Sequence, residues 1–280
     1  MKYHKYLLAS NWIEMLVLES LHNLLFELAG EDRLNILLEL KDKPLRLSNL
    51  SKNLDFTVQE TSRNISRLSE AKLITKQPDG RFRLTPYGEE TLDLLEGFNF
   101  LSQHREYFVT HTLSKLPKEF SQSLASLMGS RLVDDVMVAF SNVESMIQRA
   151  EEYVWILSDQ ILVSTIPLLE EALKRGAEFK LILPKKIVPP RDALERIASP
   201  IFLQSLKSKK FENRFLERVD VLICLSEKEV AALDFLNTEG RLDYHGFYAK
   251  DELSFKWTKA LFLYYWNMAT RQENEPWLSK

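Results

Sequence analysis

The stretch TVQETSRNISRLSEAKLITKQPDGRFRLTPYG, residues 57–88, constrains the fold of this chain more than any other. Its first half repeats small or apolar residues at helical spacing, which predicts one inward helix face. The predicted inward residues are Val58, Thr61, Ile65 and Leu68. Thr57 precedes them as a candidate N-cap, and Pro78, Asp79 and Gly80 supply turn chemistry between two short strands. The stretch therefore predicts one short helix followed by a tight hairpin.

Two further helices are predicted before this one. EDRLNILLELKDKP has an apolar helical repeat that stops at Pro44, and LRLSNLSKNLD follows as a second helix. A break at Asp55 and Phe56 separates the second helix from the third. Three short helices with a tight turn between the last two are the sequence form of a helix-turn-helix. With the hairpin as its wing, residues 31–88 are predicted to form a winged helix-turn-helix DNA-binding domain.

The outward face of the third helix carries the side chains that suit DNA. Arginine can bond guanine with two parallel hydrogen bonds, glutamine or asparagine can do the same with adenine, and serine can reach phosphate oxygens. Arginines on the wing would lie beside the phosphate backbone. The candidate DNA-binding residues are Thr57, Gln59, Arg63, Asn64, Ser66, Arg67, Arg81 and Arg83.

Charge is distributed unevenly along the chain. The whole chain has a net charge of −3, whereas nine basic and four acidic residues lie between Lys43 and Thr85. A local charge of +5 in an acidic chain indicates a polyanionic partner for this block, namely double-stranded DNA. Two other interpretations stay open: a solvated helical surface with no ligand, and a winged helix used only for protein contacts.

The remainder of the chain divides into a linker and a second domain. Pro86 suits the first turn of a long helix, and residues 89–115 are assigned to this linker helix. Residues 116–280 alternate strand and helix patterns, with apolar strands predicted at 153–158, 178–184 and 219–226. The helix between the first two strands should give a parallel crossover. The overall fold class is therefore an α+β winged helix-turn-helix domain followed by an α/β domain.

The N-terminal segment, residues 1–30, contains a strongly apolar helix over residues 11–29. It has more hydrophobic positions than one small domain can easily cover, so it is the candidate dimerisation helix. A homodimer would present two third helices about 34 Å apart, one turn of DNA. Packing of this helix within its own subunit is the alternative. Its Glu14 and Glu19 argue against a membrane span, and a cytoplasmic protein is expected.

Polar residues in the second domain form a candidate effector site. Ligands of open α/β sheets usually bind beyond the carboxyl ends of the strands. The candidate ligand-binding residues are Ser158, Asp159, Gln160, Lys185, His245 and Tyr248. The alternatives are a loop in which Asp159 accepts backbone hydrogen bonds and a histidine with a structural role. No cofactor or metal is expected, because no two His or Cys residues stand at ligand spacing.

The segment TSRNISRLSEAKLITKQPDGRFRLTPYG resembles the winged helix-turn-helix domains of archaeal ArsR- and MarR-type regulators. These domains commonly have Gly before the apolar pair, where this chain has Lys72. The later segments AFSNVESMIQRAEEYVWILSDQIL, PLLEEALKRGAEFKLILP and GFYAKDELSFKWTKALFLYYW resemble the C-terminal region of archaeal regulators with a methanogenesis-regulatory domain. The resemblance implies a dimeric transcription regulator with a C-terminal sensor domain for a small-molecule effector.

The second domain also resembles, distantly, the α/β fold of phospholipase D enzymes. Phosphodiester cleavage in that family uses a His and a Lys two residues apart, so that imidazole can attack phosphorus. In this chain Phe247 stands at that spacing after His245. We therefore expect the sheet without catalysis and no enzymatic activity. A phosphodiesterase-like enzyme recruited to nucleic acid, and an adaptor with a degenerate winged helix, are the alternative functions.

Overall fold

The computed structural model describes residues 20–271, and two compact units meet in the sequence between Leu95 and Glu96. This division falls inside the predicted linker, residues 89–115. Of the predicted dimerisation helix, residues 11–19 lie outside the described residues, while residues 20–28 are helical and are labelled α1. Within residues 20–271 no helix is both long enough and apolar enough to cross a bilayer.

The first unit contains helices and a hairpin in the predicted order. Its elements after α1 are α2 (Glu31–Asp42), α3 (Leu47–Asn53), α4 (Val58–Glu70), β1 (Ile74–Lys76), β2 (Phe82–Leu84) and the first part of α5 (Pro86–Gln103). The two strands are antiparallel, with Ile74 opposite Leu84. Leu45 adds a bridge to Phe82, so the segment between α2 and α3 pairs with the hairpin. Apolar side chains of these helices and both strands form one core cluster.

Helix α4 begins with a capping box and buries most of the predicted face. The Thr57 hydroxyl accepts the N–H of Glu60, and the Glu60 carboxylate accepts the N–H of Thr57. Thr61, Ile65 and Leu68 are buried as predicted, but Val58 is 61% exposed, so its inward placement was wrong. The buried face is centred between Thr61 and Leu68. At about 100° per residue, Val58 lies roughly 80° from Leu68, at the margin of that face.

Helix α4 ends in a Schellman motif with an unusual residue at its left-handed position. The N–H of Leu73 donates to the carbonyl of Leu68, and the N–H of Lys72 donates to that of Ser69. Lys72 has φ 61°, the left-handed conformation that glycine adopts most easily. Burial of both Leu68 and Leu73 supplies the apolar contact of the motif. A lysine therefore occupies the position of this motif where glycine is the usual residue.

The second unit is built on a seven-stranded mixed sheet with order β3-β9-β8-β7-β4-β5-β6. Its strands are β3 (Arg131–Val133), β4 (Tyr153–Leu157), β5 (Glu178–Pro184), β6 (Phe211–Leu216), β7 (Val221–Ser226), β8 (Val230–Phe235) and β9 (Gly246–Ala249). Its helices after α5 are α6 (Arg105–Thr110), α7 (Lys118–Ser121), α8 (Val136–Arg149), α9 (Ile166–Arg175), α10 (Arg191–Ile197), α11 (Pro200–Lys207) and α12 (Glu252–Met268). Short 3-10 helices cover Leu124–Leu127 and Val163–Thr165.

The predicted crossover is present in this sheet. Strand β4 leads through α9 to β5, and the two strands are parallel, as are β5 and β6. The remaining neighbours pair antiparallel. Helix α9 ends at Gly176, whose φ of 105° provides the expected left-handed cap. The long helix predicted from Pro86 is interrupted at His104, which separates α5 from α6.

The two faces of the sheet carry different helices. Trp155 stacks on Phe262 of α12, with ring centroids 5.1 Å apart. The next residue, Ile156, lines a cavity together with Ala139 of α8 and Leu169 of α9. Because successive strand residues point to opposite faces, α12 covers one face while α8 and α9 cover the other. The candidate effector site lies on the face covered by α8 and α9.

Candidate nucleic-acid interface and effector cavity

An exposed polar strip runs along α4 opposite its buried face. Gln59, Ser62, Arg63 and Ser66 are exposed and follow the i, i+3, i+4, i+7 spacing of one helix side. Within the described residues, the Arg63 guanidinium makes no hydrogen bond or ion pair. The Ser66 hydroxyl donates to the carbonyl of Ser62, 3.0 Å away, and leaves its lone pairs outward. The sequence prediction missed Ser62, although its spacing from Gln59 and Arg63 was visible.

Thr57 and Glu60 use their polar groups within the cap. The Thr57 hydroxyl lies 2.7 Å from a Glu60 carboxylate oxygen. This hydrogen bond, with the backbone N–H of Thr57, lowers the pKa of Glu60. Thr57, a predicted DNA-binding residue, is thus exposed at the N-terminus of α4 while its side chain holds the helix start.

Asn64, which the sequence placed at the flank of the exposed face among the DNA-binding candidates, is buried instead, so this placement was wrong. Its side chain is buried, and its amide donates to an Asp32 carboxylate oxygen 3.4 Å away. Asn64 is only about 40° around the helix from Leu68, well within the buried face. It ties α4 to α2 and is not accessible to a base edge.

Arg67 is tied to α1 and is not a free donor. Its guanidinium makes two hydrogen bonds to Glu27, with Nη2–Oε1 2.6 Å and Nε–Oε2 3.1 Å. The same group lies over the Phe26 ring, 5.1 Å from its centroid. The bond to Glu27 raises the pKa of Arg67. The sequence analysis placed Arg67 among the DNA contacts. In the structure Arg67 instead holds α1 against α4, because Glu27 and Phe26 of α1 contact its guanidinium.

The two wing arginines differ in what surrounds them. Arg81 pairs with Asp79, with Nη2–Oδ2 2.6 Å, and Asp79 also accepts the backbone N–H of Arg81. Arg83 is exposed between buried Phe82 and Leu84, and in the described part of the chain nothing pairs with it. Of the two wing arginines, Arg83 is therefore the one whose charge is available to a ligand, while that of Arg81 is offset by Asp79.

Other cations surround this surface of the first unit. In the first unit, the exposed basic residues with no hydrogen bond or ion pair to a carboxylate among the described residues are Lys43, Arg46, Lys52, Arg63, Lys72, Lys76 and Arg83. Arg46 acts on Asp79 at a distance and lowers its pKa after the stronger effect of Arg81. The basic excess of the sequence is therefore carried at the surface and is only partly neutralised by neighbouring acids.

The second unit encloses an apolar cavity of about 50 Å³ between the sheet and helices α8 and α9. Ser158 and Gln160, two of the predicted ligand residues, lie on its wall. Most of the wall is aliphatic or aromatic, with Phe140, Leu181 and Cys224 among the contributors. Burial raises the pKa of the Cys224 thiol to about 12. The cavity lies against the face of the sheet, and only its rim, at Ser158 and Gln160, reaches the carboxyl end of β4 where the sequence predicted an effector site.

Tyr244 closes the polar rim of this cavity. Its hydroxyl donates to Asp159 Oδ1, 2.9 Å away, and accepts the side-chain N–H of Gln160. Its ring meets Phe140 edge to face, with centroids 5.3 Å apart. Burial and the Asp159 charge raise the pKa of the Tyr244 hydroxyl. A ligand role for Ser158, Asp159 and Gln160 stays a prediction, and the sequence analysis missed Tyr244, which bonds the last two.

Four of the six predicted ligand residues do not line the cavity. Asp159 only bonds Tyr244 at its rim, and the other three have different partners. Lys185 pairs with Glu217, and Tyr248 donates its hydroxyl to Glu229, 2.6 Å away. His245 contacts Asp243, with Nδ1–Oδ1 3.6 Å. Each side chain is held by a carboxylate elsewhere in the unit, so its grouping with Ser158 was wrong.

A buried hydrogen-bond network lies behind Tyr244. The backbone N–H of Tyr244 donates to Asp234 Oδ2, and the Tyr107 hydroxyl donates to Asp234 Oδ1. His111 stacks on Tyr107 and meets Asp243, with Nε2–Oδ1 3.1 Å. Burial, reinforced by the Asp243 charge, raises the pKa of Asp234 to about 8. The network fixes the backbone from which the Tyr244 side chain projects.

The same network offers atoms at a spacing that could hold a metal ion. One atom each from His111, Asp234 and Asp243 lies within 4.8 Å of the others. Protein donors already use these atoms: both Asp234 oxygens accept hydrogen bonds, and Asp243 Oδ1 accepts from His111 and from the N–H of His245. The arrangement is satisfied as a hydrogen-bond network. Sequence spacing did not reveal it because His111 and Asp243 are 132 positions apart.

Comparison with known proteins gives only distant structural likenesses. No protein-family model matches the chain, and no curated protein matches it. It is similar to TrmBL2, an archaeal chromatin protein described as having a novel mode of DNA binding. The sequence identity is 16% and the TM-score 0.41, and the match covers 87% of this chain and 94% of that one. It is also similar to Nuc, a phospholipase D family member from Salmonella typhimurium, with 12% identity, a TM-score of 0.37, and coverage of 52% and 98%.

A third likeness is to the riboflavin-derivative dimethyltransferase RosA from Streptomyces davawensis. It has 15% identity and a TM-score of 0.27, and it covers 74% of this chain and 67% of that one. At these identities and scores no function passes from any of the three proteins to this chain. The function must be argued from the side chains described above.

Proposed function

We propose that this protein is a DNA-binding transcription regulator whose first unit works as a winged helix-turn-helix. In this proposal α3 and α4 are the helix-turn-helix, α4 enters the major groove, and the β1–β2 hairpin is the wing. The observation that carries the proposal is the strip of Gln59, Ser62, Arg63 and Ser66, exposed on α4 while Thr61, Ile65 and Leu68 anchor the other side. Polar donors on a helix anchored from behind are what base contacts require.

The strip offers distinct contacts to a duplex. The free guanidinium of Arg63 suits the O6 and N7 atoms of guanine, and the Gln59 amide suits adenine. The Ser62 hydroxyl suits a phosphate oxygen, while the Ser66 hydroxyl, which donates to the Ser62 carbonyl, can accept a hydrogen bond from a base amino group. Arg83 supplies a phosphate contact from the wing, where Arg81 is already paired with Asp79. Specific binding therefore depends on Arg63 and Gln59, and general affinity depends on Arg83 and the surrounding cations.

The wider proposal is a cytoplasmic homodimer with a regulatory second unit. A two-fold dimer would place the α4 strips about 34 Å apart on one side of the duplex. The second unit would take a small-molecule effector and has no catalytic role. A phosphodiesterase-like enzyme is the alternative, and an assay of the purified chain on labelled DNA and phospholipid distinguishes the two. An adaptor with a degenerate winged helix would bind no DNA at all.

Selection of bound fragments from random DNA, at two salt concentrations, tests the DNA-binding proposal. A regulator should enrich a two-fold-symmetric site at both concentrations, with affinity falling as salt rises. Enrichment of no common sequence at either concentration would contradict specific recognition. Loss of all binding at the higher concentration would leave only general charge attraction.

Single variants then assign the surface. Arg63→Ala should lose about 1–3 kcal/mol of binding free energy on the selected site and relax the preference at one base position. Arg83→Ala should weaken all sequences alike and reduce the salt slope by about one unit. Arg191→Ala is the matched control, because Arg191 is 90% exposed on α10 and is outside the proposed surface. Equal effects of Arg63→Ala and the control would refute the role of α4.

A further inference from the structure

We infer that the cavity of the second unit binds a small, uncharged and mainly apolar molecule that enters beneath Tyr244. This deepens the proposed effector role of the second unit by naming the class of ligand. The inference starts from the wall of the cavity. Ala139 and Phe140 of α8, Ile156 and Cys224 of the sheet, and Phe202 of α11 all contribute to it.

The wall excludes a charged ligand. None of the residues on it is an acid, a lysine, an arginine or a histidine. Burial of an ion without a partner costs far more than the same contacts return to an apolar group. The Thr165 hydroxyl on this wall is already donated to the Leu162 carbonyl. The other polar side chains, Ser158, Gln160 and Tyr244, are joined by hydrogen bonds at one end. A ligand that fits has an apolar body and at most a small hydrogen-bonding group at that end.

The volume indicates that the rim must move for the ligand to enter fully. About 50 Å³ is more than one water needs and less than the roughly 150 Å³ of an apolar cavity that holds benzene. The wall is apolar, so water is a poor occupant of this space. A ring-sized ligand therefore requires the Phe140 and Tyr244 rings, which form the outer wall, to shift outward.

The rim is built to open at small cost. Residues 158–162 form an irregular loop in which Asp159 and Gln160 are exposed. The hydroxyl of Tyr244 holds this loop through its hydrogen bonds to both side chains. A net hydrogen bond at an exposed site contributes little, because water replaces it when it breaks. The Tyr244–loop contact is thus a latch that a ligand can release without disturbing the sheet.

The backbone of Tyr244 is held more firmly than its side-chain hydroxyl. Tyr244 adopts φ 65°, a conformation that is uncommon for residues other than glycine. Its N–H is fixed by buried Asp234. A residue held in such a conformation by its surroundings commonly marks a functional position. The Tyr244 backbone therefore stays in place while its ring swings between closed and open positions.

Cys224 allows a direct test, because it is the only cysteine of the chain and lies on the cavity wall. The full chain is treated with methyl methanethiosulfonate, a small uncharged thiol reagent, and modification is followed by mass spectrometry. Indole is the probe ligand. At ten times its dissociation constant indole should slow modification roughly tenfold, and it should raise the thermal unfolding midpoint of the second unit. If saturating indole neither slowed the modification of Cys224 nor raised the thermal unfolding midpoint, the inference would be overturned.

The charge of the ligand and the shape of the cavity are tested with a matched ligand and a matched pair of variants. Indole-3-carboxylate keeps the ring system but carries a carboxylate, so it should neither protect Cys224 nor raise the midpoint. Ala139→Leu fills the cavity from α8 and should abolish protection by indole, whereas Met137→Leu, on the exposed side of the same helix, should retain it. Equal protection by indole and its carboxylate, or full protection in folded Ala139→Leu, would refute an apolar site.

The latch is tested separately with Tyr244→Phe, which keeps the ring and removes both hydrogen bonds to the loop. Modification of Cys224 should be several-fold faster in this variant without indole. An unchanged rate would refute the entry route beneath Tyr244. All of these measurements are made without DNA, so they do not depend on α4. A failed DNA selection with intact indole binding would reject only the proposed function, and the converse would reject only this ligand site.

Discussion

The side chains of the exposed strip on α4 are close together in the sequence, whereas those that line the cavity of the second unit are far apart in it. The strip lies within residues 59–66 and its wing arginine within the next 20 positions. The cavity combines Phe140 of α8, the end of β4 and Tyr244. The strip therefore depends on one helix, its cap and its buried side. The cavity depends on the register of a whole sheet and on a loop more than 80 positions beyond β4.

The two regions also satisfy their polar groups differently. The cap of α4 is exposed and uses two residues three positions apart. In the cavity, the backbone of Tyr244 is held by Asp234, which is 1% exposed. Asp234 accepts one hydrogen bond from Tyr107 and one from Tyr244. Stability of the second unit should therefore respond to pH through a buried acid. Stability of the first unit should instead fall when the buried side of α4 or its N-terminal cap is altered by mutation.

The largest expected effect is on the pH dependence of the second unit. Asp234 has a folded pKa of about 8, against about 3.9 for an unfolded aspartate. Between these values the unfolded chain releases the proton while the folded chain keeps it. The free energy of unfolding should therefore fall, by several kcal/mol in order of magnitude, as pH rises from about 4 to about 8. Asp234→Asn should remove this part of the slope in urea titrations.

Asp134→Asn is the control for that prediction, because Asp134 is exposed in the same unit. It should leave the slope unchanged. The difference between the two variants cancels the contribution of acids that do not interact with Asp234. Parallel slopes for wild type and Asp234→Asn would show that the buried acid is not what distinguishes the two units.

Next in size is the packing behind α4. Leu68 is fully buried, so Leu68→Ala should lower the free energy of unfolding of the first unit by about 2–5 kcal/mol. Val58→Ala is the matched control on the same helix, since Val58 is 61% exposed, and it should change stability by less than about 0.5 kcal/mol. Urea unfolding measures both. Similar losses in the two variants would mean that Val58 packs inward, as its spacing alone suggested.

A smaller effect is expected at the helix cap. Thr57→Ala removes the hydroxyl that accepts the Glu60 N–H and should cost about 1 kcal/mol. Thr57→Ser keeps that hydroxyl and should recover most of the loss. If the two variants were equally stable, the cap would not fix the start of α4. The exposed strip would then owe its position to the buried face alone.

The first unit was largely predictable because its signals are local. The cap at Thr57, the buried positions of Ile65 and Leu68 and the turn at Gly80 follow from spacing within a few residues. The errors at Val58 and Asn64 arose where the face had to be oriented, since a helical repeat gives a periodicity but locates the centre of the face only roughly. The pairing of Arg67 with Glu27, 40 positions away, had no local signal.

The second unit was predictable only where a strand is almost continuously apolar. Runs of this kind identified β4, β5 and β7, while β3, β6, β8 and β9 were not assigned. Strand β6 alternates buried and partly exposed residues, and the apolar run of β8 is interrupted by Asp234. Ser158, Asp159 and Gln160 could be proposed as ligand residues because they follow a strand end. Tyr244 was missed because its link to Asp159 spans 85 positions. Periodicity reports that a residue is buried, but only the fold determines its partner.

The smallest expected effects separate two arginines on neighbouring sides of α4. Arg63 makes no hydrogen bond within the described residues, so Arg63→Ala should alter the free energy of unfolding by less than about 0.5 kcal/mol. Arg67→Ala removes a two-bond pair with Glu27 on a partly exposed surface and should cost somewhat more, up to about 1 kcal/mol. High salt should narrow that difference. If Arg63→Ala proved the more destabilising of the two, its guanidinium would have a structural partner and would not be free to contact a base.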